Sequence, residues 1–408
     1  MAGTFVSVLD ISGDSVVTGP VPVEPFVPGS ANLFPKMTSR INDTAWELWE
    51  FEGFSAGGEA AVGVSLYRDA RGVDKGGFHA EVNAIWPDGR KWGQTLYFAE
   101  SIVTAEGASP DEGRIHGFWR SNSNTAGGAP AAARSITFSI SEDLGVATVC
   151  FSVPDQVTGT IELRSSGSNR KSCLPATEEA ALLYPSVYYM FPMGPVDANA
   201  DLTFSFSATA GGEIEEERKL SVQSRGGGHG GMVRGWSTEA WPQFMNDAYY
   251  VVAKVGSYML QMLRVVGSAA AGHRPYAVAR LYLNKELVCA ANQAVDAQSA
   301  AEGSTATTQP RDMVAVEKVL SEPKSQEQVV SGAFSDKNIG YVIEFISGQQ
   351  KRWRFDARHK RAWWSEPTSA PGPGCTGKSG WIEGFLGGSD GETFEGAGVG
   401  GQLQIPVP

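Results

Sequence analysis

Thr44 to Gly53 reads T-A-W-E-L-W-E-F-E-G, Val62 to Arg68 reads V-G-V-S-L-Y-R, and Gly76 to Trp92 reads G-G-F-H-A-E-V-N-A-I-W-P-D-G-R-K-W. Polar and apolar residues alternate in each run, and Gly or Pro-Asp-Gly closes it, which predicts three strands of an antiparallel meander. One face then carries Trp49 and Phe51, then Val62, Val64 and Leu66, then Phe78, Ala80, Val82, Ala84 and Trp86. The other carries Glu50, Glu52, Ser65, Tyr67, His79, Glu81 and Asn83. An antiparallel sheet often leaves one side to water, and this face can be read as that side. Against this, like charges facing one another destabilise a sheet, and no lysine alternates with these acids. Polar groups set sparsely among aromatics also describe the wall of a ligand pocket.

The surrounding composition sets the class. With 408 residues, 49 of them glycine and 22 proline, and many short alternating runs, the chain is long enough for two β-rich units with cores of their own. Charged residues make up 19% and apolar ones 42%, the balance of a globular chain rather than a disordered one. A formal net charge of -12 without a basic stripe excludes nucleic acid and anionic membranes as expected partners. No apolar run approaches a membrane span, and the N-terminus has neither a basic n-region nor a cleavage site, so a cytoplasmic protein is expected. Of the four cysteines, Cys150 and Cys289 read as small buried apolar residues and Cys173 and Cys375 as loop residues, with no disulfide or zinc site expected.

Further along, alternating runs continue to about Ala208, and the glycine-dominated stretch S-R-G-G-G-H-G-G, Ser224 to Gly231, reads as a linker. The expected division is residues 1–225 and residues 232–408, with Trp236 opening the second unit. There the apolar run Tyr249 to Val266 is split by Gly256, Ala297 to Asp312 reads as an insertion without a core, and a strongly alternating hairpin carries K-R-W-R-F-D-A-R-H-K-R-A-W-W. The whole chain is thus expected to be all-β, with under about a tenth in helix against a usual third.

Two motifs spell enzymes that their context refuses. Gly372 to Ser379, G-P-G-C-T-G-K-S, matches a phosphate-binding loop, yet a Pro-rich stretch precedes it and a Gly-rich β pattern follows, where a strand and a helix are needed. Gly387 to Gly391 spells a nucleophile elbow but reads as a hairpin turn. The five histidines are isolated, so no metal site is expected.

Six segments, in order, resemble one family. They are N-L-F-P-K-M-T-S-R-I-N-D-T-A-W-E-L-W-E-F-E-G, K-G-G-F-H-A-E-V, L-Y-P-S-V-Y-Y, G-G-M-V-R-G-W-S-T-E-A-W-P-Q, D-K-N-I-G-Y-V-I-E-F and P-T-S-A-P-G-P-G-C-T-G-K-S-G-W-I-E. Together they are similar to the fungal decalin-forming Diels-Alderases over about Asn32 to Gln402. The resemblance implies an N-terminal β-sandwich, a C-terminal lipocalin-like β-barrel and a pocket between them. It implies an intramolecular [4+2] cycloaddition of a linear polyene joined to a tetramic acid, made by a polyketide synthase fused to a peptide synthetase, with no cofactor. By the same resemblance Glu50, Glu52, Tyr67, Glu81 and Asn83 line the pocket from the first unit, and Trp236 and Trp364 clamp the chain from the other side.

Lys378 is the expected polarising group, because T-G-K-S-G sets one cation between glycines with no acid beside it in sequence. Two other activities fit a polar pocket: a hydratase or isomerase of polyene lipids using Glu50 or Glu81 as acid, and a lipocalin-like carrier needing only the cavity.

Overall fold

The computed structural model describes residues 3–121, 133–167, 170–207, 214–223, 227–295, 311–321, 338–371, 375–389 and 391–406. Most of the Ala297 to Asp312 stretch lies outside them. The described residues are almost entirely β. The first sheet opens with β1 (Gly3–Asp10), β2 (Trp46–Phe54), β3 (Ala61–Asp69), β4 (Phe78–Ile85) and β5 (Lys91–Phe98). It continues through β6 (Glu100–Ser109), β7 (Glu112–Ser121), β8 (Arg134–Ile140), β9 (Val146–Val153) and β10 (Val157–Ser165). β11 (Leu182–Tyr184), β12 (Val187–Met190), β13 (Val196–Ser207), β14 (Ile214–Val222) and β15 (His229–Ser237) complete it.

The predicted meander forms in register. Glu50 faces Ser65 across β2 and β3, and Ser65 faces Glu81 across β3 and β4, which fixes those three side chains in one row. The sheet folds over so that β2 and β3 pack on β7 and β8: Trp49 meets Trp119 edge-on at 5.7 Å and Phe51 meets Phe138 at 5.3 Å. This is the sandwich core.

The second sheet comprises β16 (Met245–Val255), β17 (Tyr258–Gly267), β18 (Pro275–Leu283), β19 (Glu286–Ala291), β20 (Ala294–Val295) and β21 (Met313–Leu320). β22 (Asn338–Ile346), β23 (Arg352–Pro367), β24 (Gly377–Ser389) and β25 (Phe394–Gln404) follow. These ten strands make a nearly closed barrel. Its interior is filled by Tyr249, Tyr258, Phe345, Trp353, Phe355 and Phe385. Gly256, at φ 54°, turns the long apolar run into the hairpin β16–β17, as its position predicts.

Among the described residues, helix is limited to the single turn α1 (Trp241–Phe244) and the 3-10 turn Val73–Lys75. No helix there is long and apolar enough to cross a membrane.

Two expectations need correction. The first sheet does not end at residue 225, because β15 lies between β13 and β2 in it, paired to β2 from His229↔Phe54 to Ser237↔Trp46. Backbone pairing, invisible in the glycine composition, holds residues 229–237 to the sandwich. Cys150 is exposed on β9, where alternation gives the buried positions to Val149 and Phe151. The phosphate-loop spelling behaves as its context predicts: Lys378 and Ser379 lie inside β24, so no helix N-terminus forms after it.

The barrel lies against the polar face of β2–β4. Phe54, Ala61 and Ile85 pack with Val252, Ile382 and Val399 at one end of the contact, and Trp46 and Leu48 join Leu263 and Val265 at the other. Arg361 fastens the two. Its guanidinium, from β23, donates to the carbonyls of Gly58 (2.8 Å) and Glu59 (2.6 Å) in the β2–β3 turn, and of Trp86 (3.3 Å) and Pro87 (3.1 Å) in the β4–β5 turn. Arg361→Ala is expected to lower unfolding free energy by about 1–3 kcal/mol, measured as a lower urea midpoint; an unchanged midpoint would show that this clamp contributes nothing.

Candidate active site

Covering β2–β4 with the barrel leaves a cavity of about 500 Å³ between them. Its walls divide by chemistry. Trp46, Leu48, Tyr189, Trp241, Ala248 and Leu263 form an apolar half. Glu50, Ser65, Tyr67, Asp69, Arg71 and Glu81 approach the other half from the sandwich, and Trp364 and Lys378 from the barrel. Alternation explains the sharing: Trp46, Leu48 and Glu50 are at even positions of β2, opposite in direction to the core residues Trp49 and Phe51.

Burial sets the charge state of the acids. Glu50 is pushed up to about 7, first by desolvation and then by the charge of Glu81, with a hydrogen bond from Ser65 pulling it partly back. Glu52 is raised well above the ordinary carboxylate range by burial and by Glu50, although the Tyr250 hydroxyl donates to it at 2.6 Å. Burial also pushes Glu81 up, but the nearby Lys378, His79 and Arg71 outweigh it and hold this carboxyl below its usual value. Burial thus favours the protonated forms of Glu52 and Glu50, whereas the neighbouring cations favour the ionised form of Glu81.

Lys378 is differently placed from its sequence expectation. Its ammonium lies 3.3 Å from each Glu81 oxygen and 3.1 Å from Glu366, so the cation with no acid beside it in sequence is held by one from the sandwich and one from the adjoining strand β23. Burial favours its neutral form, yet the two carboxylates outweigh this and raise its pKa. Its three donors face three carboxylate oxygens, so a ligand oxygen would take one by displacing or sharing a Glu81 contact.

Trp364 stands 5.7 Å from the same nitrogen, ring face towards it. It reaches the cavity because β23 carries bulges at His359/Arg361 and Ala362/Trp364 that reset the alternation. Gly380 makes room, since a Cβ there would lie 2.1 Å from the Trp364 indole nitrogen and 2.2 Å from that of Trp363. Tyr67 is stacked on His79 (4.5 Å, 12° between planes) with Arg71 over the ring at 4.9 Å, and Arg71 pairs with Asp69 at 2.5 Å.

The candidate residues therefore separate. Glu50, Tyr67, Glu81, Trp364 and Lys378 meet at one cavity. Glu52 is 2% exposed and lies behind Tyr250, and Asn83 faces a neighbouring cavity. Trp236 does not clamp anything from the barrel side. It belongs to β15, where pairing with Glu47 turns it into the sandwich core, 1% exposed and stacked on Tyr188 at 4.5 Å. The aromatic wall is built instead by Trp46 stacked on Trp241 at 4.4 Å. Trp46 was legible, being at an even position with Glu50; Trp241, Tyr189 and Tyr250 carry no such signal, because they arrive from other parts of the chain.

Among the described residues, no group of three or more His, Cys, Asp or Glu side chains is placed to hold a metal ion. The site is a half-apolar, half-polar cavity between two β lobes, with two anchored cations, Lys378 and Arg71, and carboxyls shifted in opposite directions. That is the build of an enzyme that encloses one mostly apolar small molecule and grips its polar end.

The chain belongs to the Diels-Alderase-like family, whose model matches residues 2–406. It is 52% identical over 407 residues to the Diels-Alderase phm7 of Pyrenochaetopsis, covering 99% of each chain. To a Diels-Alderase of Gibberella fujikuroi it is 38% identical over 395 residues, 96% of each. The crystal structure of CghA with Sch210972 superposes with a TM-score of 0.86 at 32% identity, over 99% of this chain and all of the other. The family's members are enzymes of the pericyclase class.

The raised Glu50 has a measurable consequence. A carboxyl whose pKa is higher folded than unfolded binds more protons in the native state between the ordinary 4.5 and about 7, so it makes the protein less stable as pH rises through that window. Glu50→Gln removes this cost. The variant is expected to melt above the wild type at pH 8, with the difference shrinking towards pH 5; a difference independent of pH would contradict the assigned protonation.

Proposed function

We propose that this Diels-Alderase closes a decalin by intramolecular [4+2] cycloaddition of a linear polyene carried on a tetramic acid. The observation that carries the reading is the pairing, in one cavity, of an apolar aromatic half with a polar end holding a single anchored ammonium, Lys378. The polyene occupies the half lined by Trp46, Leu48, Trp241 and Leu263, and the oxygen-rich ring lies at Lys378.

The cycloaddition makes two carbon–carbon σ bonds from three π bonds and leaves one new π bond, and no proton or nucleophile enters. Two contributions remain for the protein. Confining a flexible chain so that diene and dienophile touch removes rotational entropy before the transition state, and such proximity supplies a large share of many intramolecular accelerations. The walls that confine it are rigid, since most lie on strands.

The second contribution is electrostatic. As electron density moves onto the carbonyl conjugated with the dienophile, an ammonium donating to that oxygen stabilises the transition state more than the ground state. Glu81 and Glu366 hold Lys378 charged and orient it. The upward shifts of Glu52 and Glu50 favour their neutral forms and so lessen the repulsion that two more carboxylates would direct at an acidic tetramate. Trp364, ring towards the same nitrogen, bounds the volume in which the polyene folds.

The raised Glu50 also suits a general acid, which a hydratase or isomerase of polyenes requires. Incubating the protein with a linear polyenoyl tetramic acid separates the readings by product mass: unchanged mass with a new ring for cyclisation, one added water for hydration, and recovered substrate for a carrier. Lys378→Met is expected to slow cyclisation at least about tenfold without unfolding the protein, and added ATP is expected to change nothing. Trp364→Ala is expected to lose turnover or stereoselectivity while its melting temperature stays near the wild type. A Lys378→Met variant that cyclises at the wild-type rate with the same product ratio would leave shape as the sole source of catalysis.

A further inference from the structure

The barrel encloses a cluster of titratable side chains that the cycloaddition does not use: Tyr249 on β16, His359 on β23 and Glu383 on β24, all buried. Tyr249 donates to one Glu383 oxygen at 2.6 Å, and His359 Nδ1 lies 2.8 Å from the other. A Cβ at position 400 would collide with this carboxylate, so Gly400 gives it room. The cluster is inside the barrel and not at the cavity between the lobes. What it can act on is the strand that carries His359.

From Trp353 to His359, β23 pairs with β24 residue for residue, and His359 stands directly opposite Glu383. Two bulges follow. Lys360 is the extra residue of the first, after which Arg361 faces Ile382; Trp363 is the extra residue of the second, after which Trp364 faces Gly380. An unbroken ladder would turn Arg361 into the barrel on the same side as His359 and would set Trp364 opposite Lys378. The bulges instead send Arg361 outward to the sandwich turns it fastens, and give Trp364 the space that a glycine leaves.

His359 spans the first bulge from the inside. Its Nδ1 meets Glu383, the register partner before the bulge, while its ring is stacked at 4.4 Å and 11° on Trp381, the partner of Ala362 beyond it. Ala362 is itself too small to cover that indole. One side chain therefore grips both sides of the irregularity, and Tyr249 holds Glu383 from a third strand. We infer that His359 is a positioning residue for the cycloaddition: by tying Glu383 to Trp381 it fixes where β23 bulges, and through that the place of Trp364 at the wall of the cavity. The inference rests on the role proposed above for Trp364.

The test uses the full-length protein, a linear polyenoyl tetramic acid and the ratio of decalin diastereomers formed, a quantity that does not depend on how much of the protein is folded. Two variants each cut one tie. His359→Asn keeps an amide donor in place of Nδ1 but takes the ring off Trp381; His359→Phe keeps a ring there and gives up the contact with Glu383. Each is expected to shift the ratio at least about threefold and to lower kcat about tenfold with KM within about twofold of the wild type, because a displaced wall misdirects a bound polyene without barring its entry. In a Trp364→Ala background neither is expected to shift the ratio further. Phe345→Leu, a cut in the same barrel core on β22, is expected to lower the melting temperature and leave the ratio as it was. If one His359 variant does not fold, the other carries the test. A wild-type ratio in a folded His359 variant, a shift that adds in full to that of Trp364→Ala, an equal shift in Phe345→Leu, or failure of both His359 variants to fold assigns His359 to core packing and overturns the inference. Failure of the wild type to cyclise the substrate overturns the decalin reading itself, and the inference with it.

Discussion

The side of β2–β4 that bears Glu50, Glu52 and Glu81 is largely withdrawn from bulk water, because the barrel lies on it, and the chemistry of the site follows from that desolvation. An antiparallel sheet with one side in a core ordinarily keeps the other wet. Here β2 is buried almost throughout, odd positions in the sandwich and even positions against the barrel. Carboxylates on such a surface either take up a proton or find a cation. Glu52 and Glu50 take the first course, Glu81 takes the second, and the difference depends on which of them Lys378 can reach. The cation in turn is held at the cavity by the acids it neutralises.

The same contact explains why the ligand space is outside the barrel. A lipocalin-like barrel suggests a cavity within, but this one is packed with aromatic rings around a small buried polar cluster. Tyr249 donates to Glu383 at 2.6 Å, His359 Nδ1 lies 2.8 Å from the same carboxylate, and Tyr249 stacks on Tyr341 at 3.5 Å. With the interior occupied, the outward residues of β16, β17, β24 and β25 become the functional surface. The sandwich does likewise: Glu47 and Arg234, both fully buried and 2.5 Å apart, tie β2 to β15, with Arg234 also donating to the Asn32 carbonyl. Both cores are therefore rigid supports for the walls between them.

Rigidity at this boundary matters for a reaction whose outcome is set by the shape in which a polyene folds. Arg361 fixes two hairpin turns to the barrel, and Gly380 lets Trp363 and Trp364 lie close on β24. Neither Arg361 nor Gly380 need touch the substrate to influence its conformation. Displacing either lobe would change the distance between Trp46 and Trp364 before it changed any bond within a sheet.

The period-2 alternation of residues 44–92 determined the strands and the assignment of Glu50, Tyr67 and Glu81 to one side of them, because side-chain direction in a strand is a local property of the backbone. Composition and turn residues likewise marked an all-β chain, and six ordered segments carried the family. What lies over a face is not a local property, and there the tertiary structure decided. It put β15 into the first sheet and so took Trp236 into the core, which the glycine stretch before it concealed. It brought Glu81 across 297 residues to Lys378, a cation that in sequence has no acid beside it. It also turned Asn83 into a separate space from its neighbour Glu52, although alternation gives both the same face. A strand specifies which way each side chain points; only the packing of one lobe on the other determines whether it meets water, a core or a ligand.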